Sequence, residues 1–241
     1  MFPLRDSIPR RYVPYAARTI IAINALVFLF ELSVGQQGVV RLFYIFGVVP
    51  ARFMHPEWAA FVGYPDTGVI PFFTHMFLHS GFLHFIANMW ILWVFSDNVE
   101  DVMGPWRFFV FYMVCGLVAL AGHFLFNLNS TMPVVGASGA IAGVMGAYLL
   151  LYPRAQVLTL IPIFIFPFFV DLPAVLFLGL WFLMQILSGV FASLSSQAAG
   201  GVAWWAHSFG FLAGVLLVPF FRSSTRCTDC GRSTLDDFRF H

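Results

Sequence analysis

Apolar residues in this chain come in blocks more than in stripes. Six blocks, at roughly residues 18–34, 76–96, 106–127, 138–152, 173–193 and 203–221, are apolar all the way round a helix. Most of them come near the ~20 residues that an α-helix needs to cross the hydrocarbon of a bilayer. The pattern predicts an all-α, polytopic membrane protein with six transmembrane helices. Between the first two blocks, Pro50, Pro56, Pro65 and Pro71 punctuate a stretch that also carries Trp58 and Tyr64. It is too apolar for an ordinary loop, and its aromatic rings are expected at headgroup level. Residues 156–170 are apolar too, but Pro162 and Pro167 interrupt them. They are expected to form a connector that hugs the membrane surface.

Composition agrees. Of 241 residues, 60% are hydrophobic and 10% charged, and mean hydropathy is +0.86. Soluble domains carry about 25% charged residues, so a soluble enzyme, a nucleic-acid binder and a disordered chain are excluded. The 12 basic residues are all arginine. With the N-terminus inside, ten fall on the cytoplasmic side and only Arg41 and Arg52 fall outside, a strong positive-inside bias. The expected layout is a cytoplasmic N-terminal segment over 1–17, a six-helix domain over 18–222 and a polar cytoplasmic tail over 223–241. The first span has no small-residue cleavage site and is expected to be retained. An inward N-terminus and the lack of an organelle-targeting pattern favour a bacterial inner membrane. Cys115 lies inside an apolar block, and Cys227-x2-Cys230 in the tail is at most half a zinc site.

In this layout blocks two, four and six all begin on the outer side, and each carries polar residues near its start: His84 and Asn88, then Ser138, then His207. Polar groups inside a bilayer are costly and mark function by default. Block four, from Ser138 to Tyr152, makes only about 22 Å of helix at ~1.5 Å per residue. That is short of the ~30 Å hydrocarbon layer, so Ser138 is expected below the outer surface. The loop from Asn127 to Ala137 is then expected to dip into a water-accessible cavity.

Ser138 opens a helix within Gly136-Ala137-Ser138-Gly139. An isolated serine here reads most simply as a helix cap beside a small-residue packing face. His207 changes the balance, because a serine hydroxyl becomes a useful nucleophile when a base takes its proton. His207, Gly210 and Gly214 form one stripe on block six, and Ser138 borders the stripe of Gly139, Gly143 and Gly146 on block four. Small-xxx-small faces let membrane helices approach closely, which would bring the hydroxyl and the imidazole together. His84 and Asn88, at i and i+4, share a helix face and could donate hydrogen bonds to an oxyanion. His75, His79, His84 and His55 lack the spacing of a metal site, and none is expected.

Thr74-His75-Met76-Phe77-Leu78-His79, His84-x3-Asn88, Gly136-Ala137-Ser138-Gly139 and Ala206-His207-x2-Gly210, in this order, resemble the rhomboid intramembrane serine proteases over roughly residues 20–220. The resemblance implies a six-helix bundle and a Ser–His dyad with no acidic third member. Ser138 would be the nucleophile and His207 the general base. His84, Asn88 and the Ser138 backbone N–H would form the oxyanion site, and Gly136 is the glycine of the family's GxSG motif. It implies no cofactor, and membrane proteins cut in their transmembrane segments near the outer face as substrates. A non-catalytic rhomboid-like escort protein is the main alternative, and such proteins usually lack the serine or the histidine. Glu100 matches an acidic residue after the second span and is expected to tie down the inner loop near Arg107. His79 is expected to support the cavity. His123 and Glu31 are expected to pack or lie at the interface, and 193–201 to form an outer loop over the site. One departure is Ile70-Pro71, where many relatives have Trp-Arg.

Overall fold

The computed structural model describes residues 1–163, 166–194, 203–223 and 226. A short strand β1 (Phe2–Asp6) precedes helix α1 (Tyr15–Ser33) and helix α2 (Gly35–Phe46). Three short helices follow: α3 (Pro50–Met54), α4 (Pro56–Phe61) and α5 (Pro71–Thr74), the last continued by a 3₁₀ turn at His75–Phe77. Each begins on a proline, whose fixed φ and missing N–H suit the first helical position. Helices α6 (Phe82–Met103), α7 (Pro105–Asn127) and α8 (Ser138–Leu151) come next. The hairpin β2 (Gln156–Ile163) and β3 (Phe166–Pro173) separates them from α9 (Ala174–Leu194) and α10 (Trp204–Phe221).

All six apolar blocks are helical. Four helices, α1, α7, α9 and α10, are long and apolar enough to cross a membrane. The second block is bent: Pro71–Phe77 and α6 meet at 92°, and together they qualify as a further span. The second long helix therefore starts at Phe82 and runs to Met103, further along the chain than the apolar run suggested. Helix α8, with 14 residues, is shorter than a span. From Gly139 to Tyr148 every one of its residues is buried, because α10, α7 and α6 pack around it. Large apolar side chains such as Leu29, Leu216 and Phe220 point outward from the surrounding helices. Apolar residues both inside and outside mark an integral membrane protein.

The described residues of the connector over 156–170 are paired strands. β2 pairs antiparallel with β3, and β1 pairs antiparallel with β2 on the other edge, giving a sheet of order β1-β2-β3. Sheet pairing satisfies backbone groups that a surface connector would leave to the headgroups. Consequently the first residues of the chain are docked. Asp6 accepts hydrogen bonds from Asn98 Nδ2 at 2.6 Å and from the Tyr148 hydroxyl. Asp101 accepts the N–H groups of Arg11 and Tyr12 at 2.6 and 3.0 Å. Glu100 does not face Arg107, which donates to the Arg222 carbonyl. Its carboxylate accepts the N–H groups of Ala16 and Ala17 at 3.0 and 2.8 Å, filling orphan donors at the start of α1.

The segment between α4 and α5 is held by a buried arginine. Arg52 donates to the Pro65 carbonyl and to Thr67 Oγ1, and its guanidinium lies 5.4 Å from the Tyr64 ring centroid. It anchors the loop that leads to Ile70-Pro71 at the start of α5. The segment before Ser138 is held by backbone pairing at several points. Val48 and Val134 exchange two backbone hydrogen bonds, Ala51 N–H donates to Ser130, and Gly136 N–H donates to the His75 carbonyl at 2.8 Å. Irregular backbone at this depth is tolerated because protein partners satisfy it.

Candidate active site

Two glycine-lined backbones bring α8 and α10 into contact. A Cβ built on Gly210 would overlap the Gly139 carbonyl, and one on Gly214 would overlap the Gly143 carbonyl. At the end of this seam nearest the starts of both helices, Ser138 Oγ lies 2.8 Å from His207 Nε2. The residue before the helix, Ala137, makes no side-chain cap, and the Ser138 hydroxyl is turned to the imidazole. The cap reading of the serine therefore has no bond to support it. Ser138 and His207 are both half-buried, so the pair is reachable and yet walled by helices.

His84 and Asn88 lie on the other side of Gly136. A Cβ on Gly136 would stand 2.7 Å from His84 Nε2 and 3.8 Å from Asn88 Nδ2. Gly136 has φ +125°, a conformation L side chains rarely adopt. The glycine thus answers both to its backbone and to the imidazole beside it. His84 Nδ1 faces the Ser80 hydroxyl at 3.0 Å and the Ser80 N–H at 3.4 Å. An N–H can only donate, so in the neutral ring Nδ1 is the acceptor and Nε2 carries the proton toward Gly136. Asn88 Nδ2 is buried with no hydrogen-bond partner among the described residues. Two N–H donors therefore converge two residues ahead of Ser138.

The other described histidines lie outside this pairing. His79 is buried, its N–H donates to the Glu31 carboxylate at 3.1 Å, and its ring meets His84 edge-on at 5.2 Å. Glu31, expected from sequence to pack or lie at the interface, is buried and holds the turn that leads into α6. His75 Nδ1 bonds the Pro71 carbonyl, His55 bonds Asn129, and His123 Nδ1 is buried on α7 without a partner. Among the described residues no three His, Cys, Asp or Glu side chains are grouped to hold a metal ion. Cys227, Cys230 and most of the 193–201 loop lie outside the described residues.

Two residues escaped the sequence reading. Ser80 orients His84, and nothing in its local pattern sets it apart from a turn serine. Gln185 Oε1 lies 2.8 Å from His207 Nδ1. A usable signal existed for it: it is an amide in an otherwise apolar 21-residue helix, where polar side chains are expensive.

The fold and this site define a helical, polytopic membrane protein with a serine and a histidine hydrogen-bonded at the end of a glycine seam. The chain belongs to the rhomboid family: the sequence model of the Rhomboid domain matches residues 66–224. Rhomboid protein 1, mitochondrial, of Saccharomyces cerevisiae is 33% identical over 150 residues, covering 58% of this chain and 38% of the yeast protein. The human presenilin-associated rhomboid-like protein, mitochondrial, is 26% identical over 158 residues, 62% of this chain and 37% of that protein. Rhomboid protease GluP of Bacillus subtilis is 38% identical over 76 residues, 32% of this chain and 14% of the relative. The chain thus spans less than two fifths of each of these relatives. The mitochondrial names do not fit the bacterial inner membrane expected from sequence, while the Bacillus relative is bacterial.

Proposed function

We propose that this protein is an intramembrane serine endopeptidase that cleaves transmembrane segments of other membrane proteins near the outer membrane face. The observation that carries the reading is the 2.8 Å contact between Ser138 Oγ and His207 Nε2. In the proposed reaction His207 Nε2 takes the hydroxyl proton as Ser138 Oγ attacks the scissile carbonyl. The negative oxygen that forms is met by His84 Nε2–H, Asn88 Nδ2–H and the Ser138 backbone N–H. One such donor is typically worth about 3–4 kcal/mol in the transition state. The tetrahedral intermediate collapses, the amine leaves with the proton from His207, and water then hydrolyses the acyl-serine by the same steps. The catalytic unit is residues 18–222, with both termini on the arginine-rich, cytoplasmic side.

Backbone amides in a substrate helix are already hydrogen-bonded, so substrates should carry Gly, Pro or Ser near the cut, where the helix unwinds at least cost. The test is purified protein in lipid vesicles with a labelled single-pass segment containing such residues, beside a fluorophosphonate probe. The parent should cleave and be labelled, and Ser138→Ala and His207→Ala should do neither. Cleavage by Ser138→Ala at the parental rate would overturn the mechanism.

A further inference from the structure

A neutral imidazole carries one N–H. For His207 Nε2 to accept the Ser138 proton it must be bare, so the ring hydrogen must sit on Nδ1. Free histidine prefers the opposite tautomer, and the residue must be held in the useful one. The atom in position is Gln185 Oε1, an acceptor only, 2.8 Å from His207 Nδ1. It is supplied by α9, a helix that carries neither member of the pair. Gln185 is 5% exposed and lies on the stripe Ala174, Leu178, Gln185, Gly189 that faces the bundle. Trp181, one turn earlier, sets its ring 6.0 Å from the imidazole at a 33° tilt, so one helix face supplies both the acceptor and the packing against the ring.

We propose that Gln185 is a positioning residue that locks His207 in its Nδ1–H tautomer and aims Nε2 at Ser138. This rests on the reading of Ser138 and His207 as nucleophile and base. The site is then a line of three side chains from three helices, Gln185, His207 and Ser138. A neutral amide takes the orienting place that a carboxylate holds in other serine hydrolases, as an amide does behind the histidine of some cysteine proteases. An amide suits an apolar wall because it brings no charge to be desolvated.

The experiment combines fluorophosphonate labelling kinetics with ¹⁵N NMR of ¹⁵N-histidine protein in micelles, the His207 signals being assigned by their loss in His207→Ala. In the parent, His207 should show a protonated Nδ1 and a bare Nε2. Gln185→Leu should lower the maximal labelling rate about tenfold to a hundredfold, the range spanned by loss of one hydrogen bond to a buried group. The half-saturating probe concentration should not move, and the tautomer signature should be lost. Gln185→Met, unbranched and without an acceptor, carries the same expectation should the leucine variant fail to fold. Gln185→Glu, which keeps an acceptor oxygen, should restore the rate to within a few-fold and keep the Nδ1–H signal. Parental labelling in the leucine or methionine variant, or a protonated Nε2 in the parent, overturns the proposal. Equal loss in Gln185→Glu and Gln185→Leu overturns it as well, because that marks packing alone. Full labelling of His207→Ala would instead sink the underlying enzyme reading.

Discussion

The carbonyl oxygen of Gly143 occupies the place where a side chain on Gly214 would begin. That backbone-to-backbone contact, repeated at Gly139 and Gly210, sets how far α8 stands from α10, and Ser138 meets His207 at the N-terminal end of the same seam. A carbonyl cannot rotate out of the way as a side chain can, so Gly214→Val must push the helices apart. Overpacking costs typically 1–3 kcal/mol, about 2–10 °C in melting temperature for a chain of this size. Gly214→Val is expected to melt lower in micelles and to lose fluorophosphonate labelling. A variant that melts lower yet labels at the parental rate would show that the seam does not set the Ser138–His207 distance.

Gly136→Ala tests the other side of the site. The new methyl would stand 2.7 Å from the His84 ring, at a φ of +125°. Strain of this kind costs about 1–3 kcal/mol, and His84 must swing away to admit the methyl. Labelling should fall at least about a hundredfold, the scale on which losing one oxyanion donor acts, with a modest drop in melting temperature. His84→Ala in the same background should add little, since the donor is already displaced. Additive losses would place His84 outside the reacting centre.

Much of this was legible from sequence because lipid simplifies the code. A polar residue in an apolar block has to be explained, and Ser138, His207, His84 and Asn88 each carried that mark. Glycines at spacings of three and four disclosed the seam that joins them. Other features depended on pairings between distant segments. The β2–β3 hairpin hides in a run whose apolar residues and two prolines suit a surface connector equally well, and its third strand comes from residues 2–6. Glu100 was noticed, but its partners are the backbone N–H groups of Ala16 and Ala17, and backbone donors leave no trace in side-chain patterns. The partners of the loop before Ser138, namely Val48, Ala51 and His75, lie in segments that resist a periodic reading.

The C-terminal end of α6 should act as a clamp on the first residues of the chain. Glu100 and Asp101 together accept four backbone N–H groups, those of Ala16, Ala17, Arg11 and Tyr12. Glu100→Ala leaves two donors at the start of α1 without acceptors, and each buried donor so stranded costs about 1–3 kcal/mol. Trypsin should then cut after Arg10, Arg11 or Arg18 at least about tenfold faster than in the parent. Unchanged protection would mean that the sheet pairing of β1 alone holds the segment.

Asp6 gives the same docking a pH dependence whose sign can be worked out. Burial raises its carboxyl above the usual aspartate range, and the hydrogen bonds from Tyr148 and Asn98 pull it down by less. A group whose pKa is raised on folding binds its proton more tightly in the folded chain. Its contribution to stability is therefore full below about pH 4, the unfolded aspartate value, and is lost as pH rises through the folded value. Asp6→Asn keeps an oxygen for Tyr148 and Asn98 and removes the charge. In micelles the asparagine variant should melt above the parent at pH 7, and the gap should close as pH approaches 4. A variant that melts below the parent at pH 7 would mean that the ionised carboxylate, through its bonds to Tyr148 and Asn98, is what holds β1 in place.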